Sequence, residues 1–155
     1  PIEWHYIGPI QSNKTRAIAG NFAWVHSVDR LKIAERLSEQ RPANLPALQV
    51  CLQVNISGEA SKGGISPAEA SDLAHAVAKL PRLQLRGLMA IPAPGDDFAV
   101  QRMPFAQLRE LRDQLNRQCL RLDTLSMGMS HDFAAAIAEG ATIVRIGTAI
   151  FGSRG

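Results

Sequence analysis

The chain has 155 residues, of which 46% are hydrophobic and 20% charged, with a formal net charge of +3 at pH 7. This length permits one domain with a real core, and the composition excludes a disordered chain. No apolar run is long enough to span a bilayer, no signal peptide opens the sequence, and the cations are scattered among acids, which disfavours general nucleic-acid binding.

Cys51 and Cys119 form no CxxC or other metal spacing. Cys51 stands in an apolar run and reads as a buried free thiol, so a reducing, cytoplasmic setting fits. The four histidines (His5, His26, His75 and His131) show no metal spacing either. His75 reads as a surface residue, and His5 and His26 as packed or hydrogen-bonded strand residues rather than catalytic ones.

In chain order, Glu3 to Gln11 reads as a strand. A short helix follows to about Gly20, with Ser12 or Asn13 able to cap it. Trp24 to Val28 is a second strand. Asp29 then caps a helix from Arg30 to about Gln40. After a connector with two prolines, Leu48 to Ile56 is mostly apolar, as suits a strand covered on both faces.

Ser57 to Gly64 is a polar loop holding Lys62, and Ser66-Pro-Ala-Glu is a capping box with proline at the first helical position. Its helix ends at Pro81, and Leu85 to Pro92 is the fourth strand. Phe105, Leu108, Leu111, Leu115, Cys119 and Leu122 make the stripe of a long helix, begun or interrupted near Pro104.

The most informative stretch is Thr124 to Gly152. An apolar run ends in Ser-Met-Gly-Met-Ser, a short helix follows from Phe133, and a second apolar run ends in Arg145-Ile-Gly-Thr. This is a βαβ pattern, and both runs close on Gly, Ser or Thr, whose backbone amides and hydroxyls can approach an anion. Two such ends in succession, with Arg145 between them, point to a phosphate-bearing ligand. Each residue alone is equally well read as a turn or strand-end group. Strands and helices alternate six times with short connectors, the pattern of a parallel α/β fold.

Five motifs occur together and in order: Trp4-His-Tyr-Ile-Gly-Pro-Ile-Gln-Ser-Asn-Lys, Val54-Asn-Ile-Ser, Arg86-Gly-Leu-Met-Ala-Ile, Leu125-Ser-Met-Gly-Met-Ser and Val144-Arg-Ile-Gly-Thr-Ala-Ile-Phe-Gly. With them the chain closely resembles the pyridoxal phosphate homeostasis (YggS/PROSC) family over essentially its whole length. The resemblance implies a TIM-type (β/α)8 barrel of the alanine-racemase kind (fold-type III), here with about six of the eight strands and residues 1–155 as one domain. It implies pyridoxal 5′-phosphate at the C-terminal strand ends. Ser126, Gly128, Gly147 and Thr148 would hold the phosphate, Met127 would line the same cup, and Arg145 would sit near the pyridine nitrogen. An arginine does not give up its proton, so it would keep that nitrogen unprotonated and the ring a poor electron sink. Cofactor buffering and delivery to PLP-dependent apo-enzymes is therefore the expected role, with little catalysis. The alternative is an amino-acid racemase of the same fold.

The resemblance also implies an absence. The family's Schiff-base lysine lies upstream of the Trp-His-Tyr-Ile-Gly strand, where this sequence starts. Lys14, Lys32, Lys62 and Lys79 are the lysines here, and none matches that position. The expectation is a fragment lacking two strands and the cofactor lysine, with two exposed sheet edges that favour strand exchange between copies, whereas the full-length protein would be a monomer or dimer. A racemase would also need an opposed acid–base residue. The single tyrosine, Tyr6, reads as part of the first strand instead. A phosphate-sugar isomerase would need a carboxylate base at a strand end, and the nearest, Asp132, reads as the start of a helix.

Overall fold

In a computed structural model, which describes residues 1–60 and 63–153, six strands form one parallel sheet in the unbroken order β1-β2-β3-β4-β5-β6. They are β1 (His5–Tyr6), β2 (Trp24–Val28), β3 (Leu48–Gln53), β4 (Leu83–Met89), β5 (Thr124–Met129) and β6 (Ile143–Arg145). The helices are α1 (Thr15–Asn21), α2 (Leu31–Gln40), α3 (Ala70–Ala78), α4 (Phe98–Asn116), α5 (Phe133–Ala138) and α6 (Thr148–Phe151). A doubly wound sheet reverses its strand order at a switch point, whereas consecutive parallel strands are the order of a (β/α) barrel. The fold is thus an α/β barrel type with six strands, as expected from the sequence.

Curvature follows from side-chain reach. Neighbouring strands lie about 4.8 Å apart, so β2 and β5 would stand roughly 14 Å apart in a flat sheet. His26 on β2 nevertheless meets Ser126 on β5 at 2.6 Å. The sheet therefore curls, and its concave face brings together residues from strands that are not neighbours.

The strands are apolar on both faces, as buried parallel strands should be. Outward, Val25, Val50, Leu52, Leu88, Leu125 and Met127 pack with Ile33, Leu37, Val77, Phe105 and Leu108 of the helices in the main core. Inward, Trp24, Cys51 and Met89 form a second, smaller cluster. Burial pushes the Cys51 thiol up to about 12, so it is an inert packing group.

Several local expectations are corrected. Only His5–Tyr6 of the first stretch is strand. Neither Ser12 nor Asn13 caps α1. Asp29 does not cap α2, which starts after Arg30; its carboxylate accepts instead from the Gly64 N–H at 3.1 Å, fastening the loop after β3 to the end of β2. Pro104 lies within α4, which starts at Phe98 with Asp97 accepting from the Val100 N–H at 2.9 Å. A proline in the second turn removes one helical donor without ending the helix. Cys119 is not part of the α4 stripe: it lies beyond the helix, exposed and at φ 70°.

The capping box at Ser66 is present, with the Ser66 N–H donating to Glu69 Oε1 at 3.1 Å. Lys62 lies outside the described residues. At the two outer strands, apolar side chains meet solvent: Ile2 and Trp4 before β1, Ile150 and Phe151 after β6.

Candidate functional site on the concave face

β5 and β6 carry the residues singled out by the sequence, and alternation along each strand sorts them. Ser126 points inward and is fully buried, whereas Met127 points outward into the helix-side core. Gly128 has φ 101°, and a Cβ there would stand 2.7 Å from the Ala136 Cβ of α5. Its lack of a side chain lets α5 close onto β5.

Arg145 ends β6 and turns into the concave face. Its guanidinium donates to Ser126 Oγ at 2.9 Å, to the Ser126 carbonyl at 3.3 Å and to the Ala90 carbonyl at 3.0 Å. Burial lowers the Arg145 pKa, while Asp132 opposes that shift; the group stays a cation, as an arginine does. The arrangement is a fixed positive charge at the C-terminal strand ends, bridging β4, β5 and β6.

Two residues further on, the Gly147 and Ala149 N–H groups converge on Ser130 Oγ at 3.2 and 3.1 Å. Gly147 meets open space where a Cβ would stand, and Thr148 is exposed with no partner for its hydroxyl among the described residues. Amide donors aimed at one oxygen, beside an unused hydroxyl and a bare glycine, suit a phosphate group. Asp132 does not contribute to this anion cradle: it stands at the N-cap of α5, and its carboxylate accepts from the Met129 N–H at 2.8 Å.

Sequence reasoning missed a chain of contacts that crosses the concave face. Glu3 Oε1 meets His5 Nε2 at 3.0 Å, His5 Nδ1 meets His26 Nε2 at 2.8 Å, and His26 Nδ1 meets Ser126 Oγ at 2.6 Å. His5 stacks on Trp24 with centroids 5.2 Å apart, and Arg86 lies over the same indole at 4.8 Å. Burial, His5 and Arg145 together lower the His26 pKa to about 4, so this ring is neutral near neutral pH. The partners of this chain come from segments up to 100 residues apart, and no local spacing signals them. Ser130 was visible as a strand-end hydroxyl but carried no distinctive pattern.

The described lysines, Lys14, Lys32 and Lys79, are all exposed and outside the concave face. Tyr6 is committed elsewhere, donating its hydroxyl proton to the Pro9 carbonyl at 2.9 Å and packing edge-on against Phe22. Among the described residues no group of three or more His, Cys, Asp or Glu side chains could hold a metal ion.

Known proteins of similar sequence and fold bear on this geometry. The family model described as alanine racemase, N-terminal domain, matches residues 3–155. A pyridoxal phosphate homeostasis protein of Pseudomonas aeruginosa is 68% identical over 154 residues, covering 99% of this chain and 66% of that protein. The chain thus spans just under two thirds of that relative's length. The structure of PipY from Synechococcus elongatus with PLP bound superposes at TM-score 0.87 and 39% identity, covering 97% of this chain and 71% of PipY. An alanine racemase of Clostridium difficile shares the fold, at TM-score 0.75 and 17% identity, covering 99% of this chain and 40% of that one. The chain belongs to the alanine racemase N-terminal domain family, and within it is similar to the pyridoxal phosphate homeostasis proteins.

Proposed function

We propose that this chain supplies the phosphate-binding and ring-nitrogen side of a pyridoxal 5′-phosphate site, in a protein that buffers the cofactor and delivers it to PLP-dependent apo-enzymes in the cytoplasm. The observation that carries the reading is the pairing, two residues apart at the end of β6, of a fixed cation with converging amide donors: Arg145 held on Ser126 and Ala90, and Gly147 with Ala149 around Ser130 Oγ. The name of the Pseudomonas aeruginosa relative and the PLP-bound PipY structure support the choice of ligand.

In this reading Gly147, Thr148 and Ser130 hold the phosphate. Ser126 anchors Arg145, Gly128 lets α5 pack close beneath the cup, and Met127 backs the cup from the helix side. The cofactor supplies a reactive aldehyde and an electron-accepting ring. Arg145 limits the second property, because a guanidinium beside the ring nitrogen donates a hydrogen bond and cannot hand over a proton. That favours holding the cofactor over turning over amino acids. Strands of the longer protein would continue the curve beyond β1 and β6 and bring the cofactor lysine. Residues 1–155 form the C-terminal part of that barrel. Among the described residues no helix is long and apolar enough to cross a membrane.

The test is visible absorption of the purified intact protein, followed by borohydride reduction and peptide mapping. A yellow protein whose adduct maps to a lysine outside this chain is the expected result. A colourless protein with no adduct after incubation with PLP would contradict the reading. Turnover of amino-acid enantiomers would favour a racemase instead.

A further inference from the structure

The contacts across the concave face form a directed chain. Arg145 and Glu3 fix its two ends, because a guanidinium only donates and a carboxylate only accepts. Between them every proton can point the same way: Arg145 donates to Ser126 Oγ, Ser126 donates to His26 Nδ1, His26 Nε2–H donates to His5 Nδ1, and His5 Nε2–H donates to Glu3. Both imidazoles are then neutral, and each contact joins one donor to one acceptor. His26 is fully buried with both nitrogens engaged, so its access to solvent runs through His5. At the other end, Glu3 and Trp24 line an open cleft of about 960 Å³ at the N-terminal strand ends.

A proton added to His5 cannot leave this chain unchanged. It would place His5 Nδ1–H against His26 Nε2–H across 2.8 Å. His26 must then carry its single proton on Nδ1 instead. That proton points at Ser126 Oγ, which now accepts from both His26 and Arg145, and the hydroxyl hydrogen must turn away from His26. The balance is one proton gained: His5 ends with two ring protons, His26 keeps one but moves it, and Ser126 keeps one but redirects it.

We propose that Glu3, His5, His26 and Ser126 form a proton relay, in which protonation of His5 at the rim switches His26 from its Nε2–H to its Nδ1–H tautomer and turns the Ser126 hydroxyl toward the barrel interior beside Arg145. His5 and His26 are then positioning residues for the interior, acting through Ser126. Packing fixes the ring that receives the proton, since Trp24 stacks on His5 at an interplanar angle of 4° and so sets the direction of both its nitrogens. The charged and titratable groups facing the relay are Glu3 before β1, Cys51 on β3, Arg86 on β4 with its ion-pair partner Asp123, Arg145 on β6, and Asp132, which acts on Arg145. Cys51 is a neutral thiol. Burial, the proton on His5 and Arg145 oppose a second proton on His26, which forces the tautomer exchange rather than a doubly protonated His26.

The relay lies within the described chain and needs no cofactor, so its test is separate from that of the proposed function. Nitrogen NMR of the intact protein, labelled with isotopic histidine and free of PLP, reports the tautomer of each ring through a pH titration. The expected result is that His26 loses its Nε2–H signal and gains an Nδ1–H signal with the same midpoint as the protonation of His5. A His26 that keeps one tautomer while His5 titrates would overturn the relay, and so would a His26 that becomes doubly protonated together with His5. His5→Phe retains an aromatic ring against Trp24 and removes the titrating group. It should abolish the Nε2–H to Nδ1–H exchange of His26; persistence of that exchange would also overturn the proposal. The wild-type titration alone decides the matter if the variant does not fold.

Discussion

His26 on β2 and Ser126 on β5 are separated by 100 residues of sequence, yet their side chains meet at 2.6 Å inside the curled sheet. The contact ties strands that would be far apart in a flat sheet, and it places a neutral imidazole next to the serine that holds Arg145. Curvature and site geometry therefore depend on one another.

The buried imidazole makes stability pH-dependent with a definite sign. His26 has an ordinary value of 6.5 when unfolded and about 4 when folded. Between these values the unfolded chain binds the extra proton, so stability rises with pH. The contribution is fully present above about 6.5 and is lost as pH falls toward about 4. Its size is about 3 kcal/mol. Urea melts of wild type and His26→Gln over this range should show a slope that the variant lacks; equal slopes would remove His26 as its source.

Two glycines should behave oppositely. A Cβ on Gly87 would stand 1.8 Å from the Thr124 carbonyl oxygen of the neighbouring strand. Backbone must move to admit it, so Gly87→Ala should destabilise by about 3 kcal/mol or more. Gly147 has open space around its Cβ position, and Gly147→Ala should change stability by no more than about 0.5 kcal/mol. In the proposed function the latter still weakens PLP binding, because the methyl group occupies the ligand's approach. Denaturant midpoints and PLP titration read the two effects separately.

Ser130 should anchor the turn into α6. Ser130→Ala removes the acceptor shared by the Gly147 and Ala149 N–H groups. The expected loss is about 1 kcal/mol. Hydrogen exchange at those two amides should accelerate roughly fivefold, since about 1 kcal/mol corresponds to that factor. Unchanged exchange would mean that other contacts hold the turn.

The sheet was legible because its strands are short apolar runs separated by amphipathic helices. The βαβ unit at Thr124–Arg145 stood out because each run ends in small polar residues. What could not be read depends on long-range geometry. Asp29 has the composition of a helix cap, but the loop at Gly64 takes its carboxylate. Pro104 looks like a helix start, yet the Asp97 cap lies about two turns earlier. Gly87 looks like an ordinary strand residue until Thr124 is seen against it. His5 stands in the first family motif and His26 in none, and only the curl of the sheet turns them into one chain with Ser126.

In the proposed function the end of β6 holds a phosphate-bearing cofactor, and Thr148 is the residue on which this is best tested, because its hydroxyl is exposed and has no partner among the described residues. The measurement is the dissociation constant of PLP for the intact protein and for Thr148→Ala, with stability checked in parallel. Loss of one charge-assisted hydrogen bond, roughly 1.5–3 kcal/mol, should weaken binding by about ten- to a hundredfold at unchanged stability. Equal affinity in the two proteins would contradict the assignment and remove the Gly147–Thr148 turn from the site.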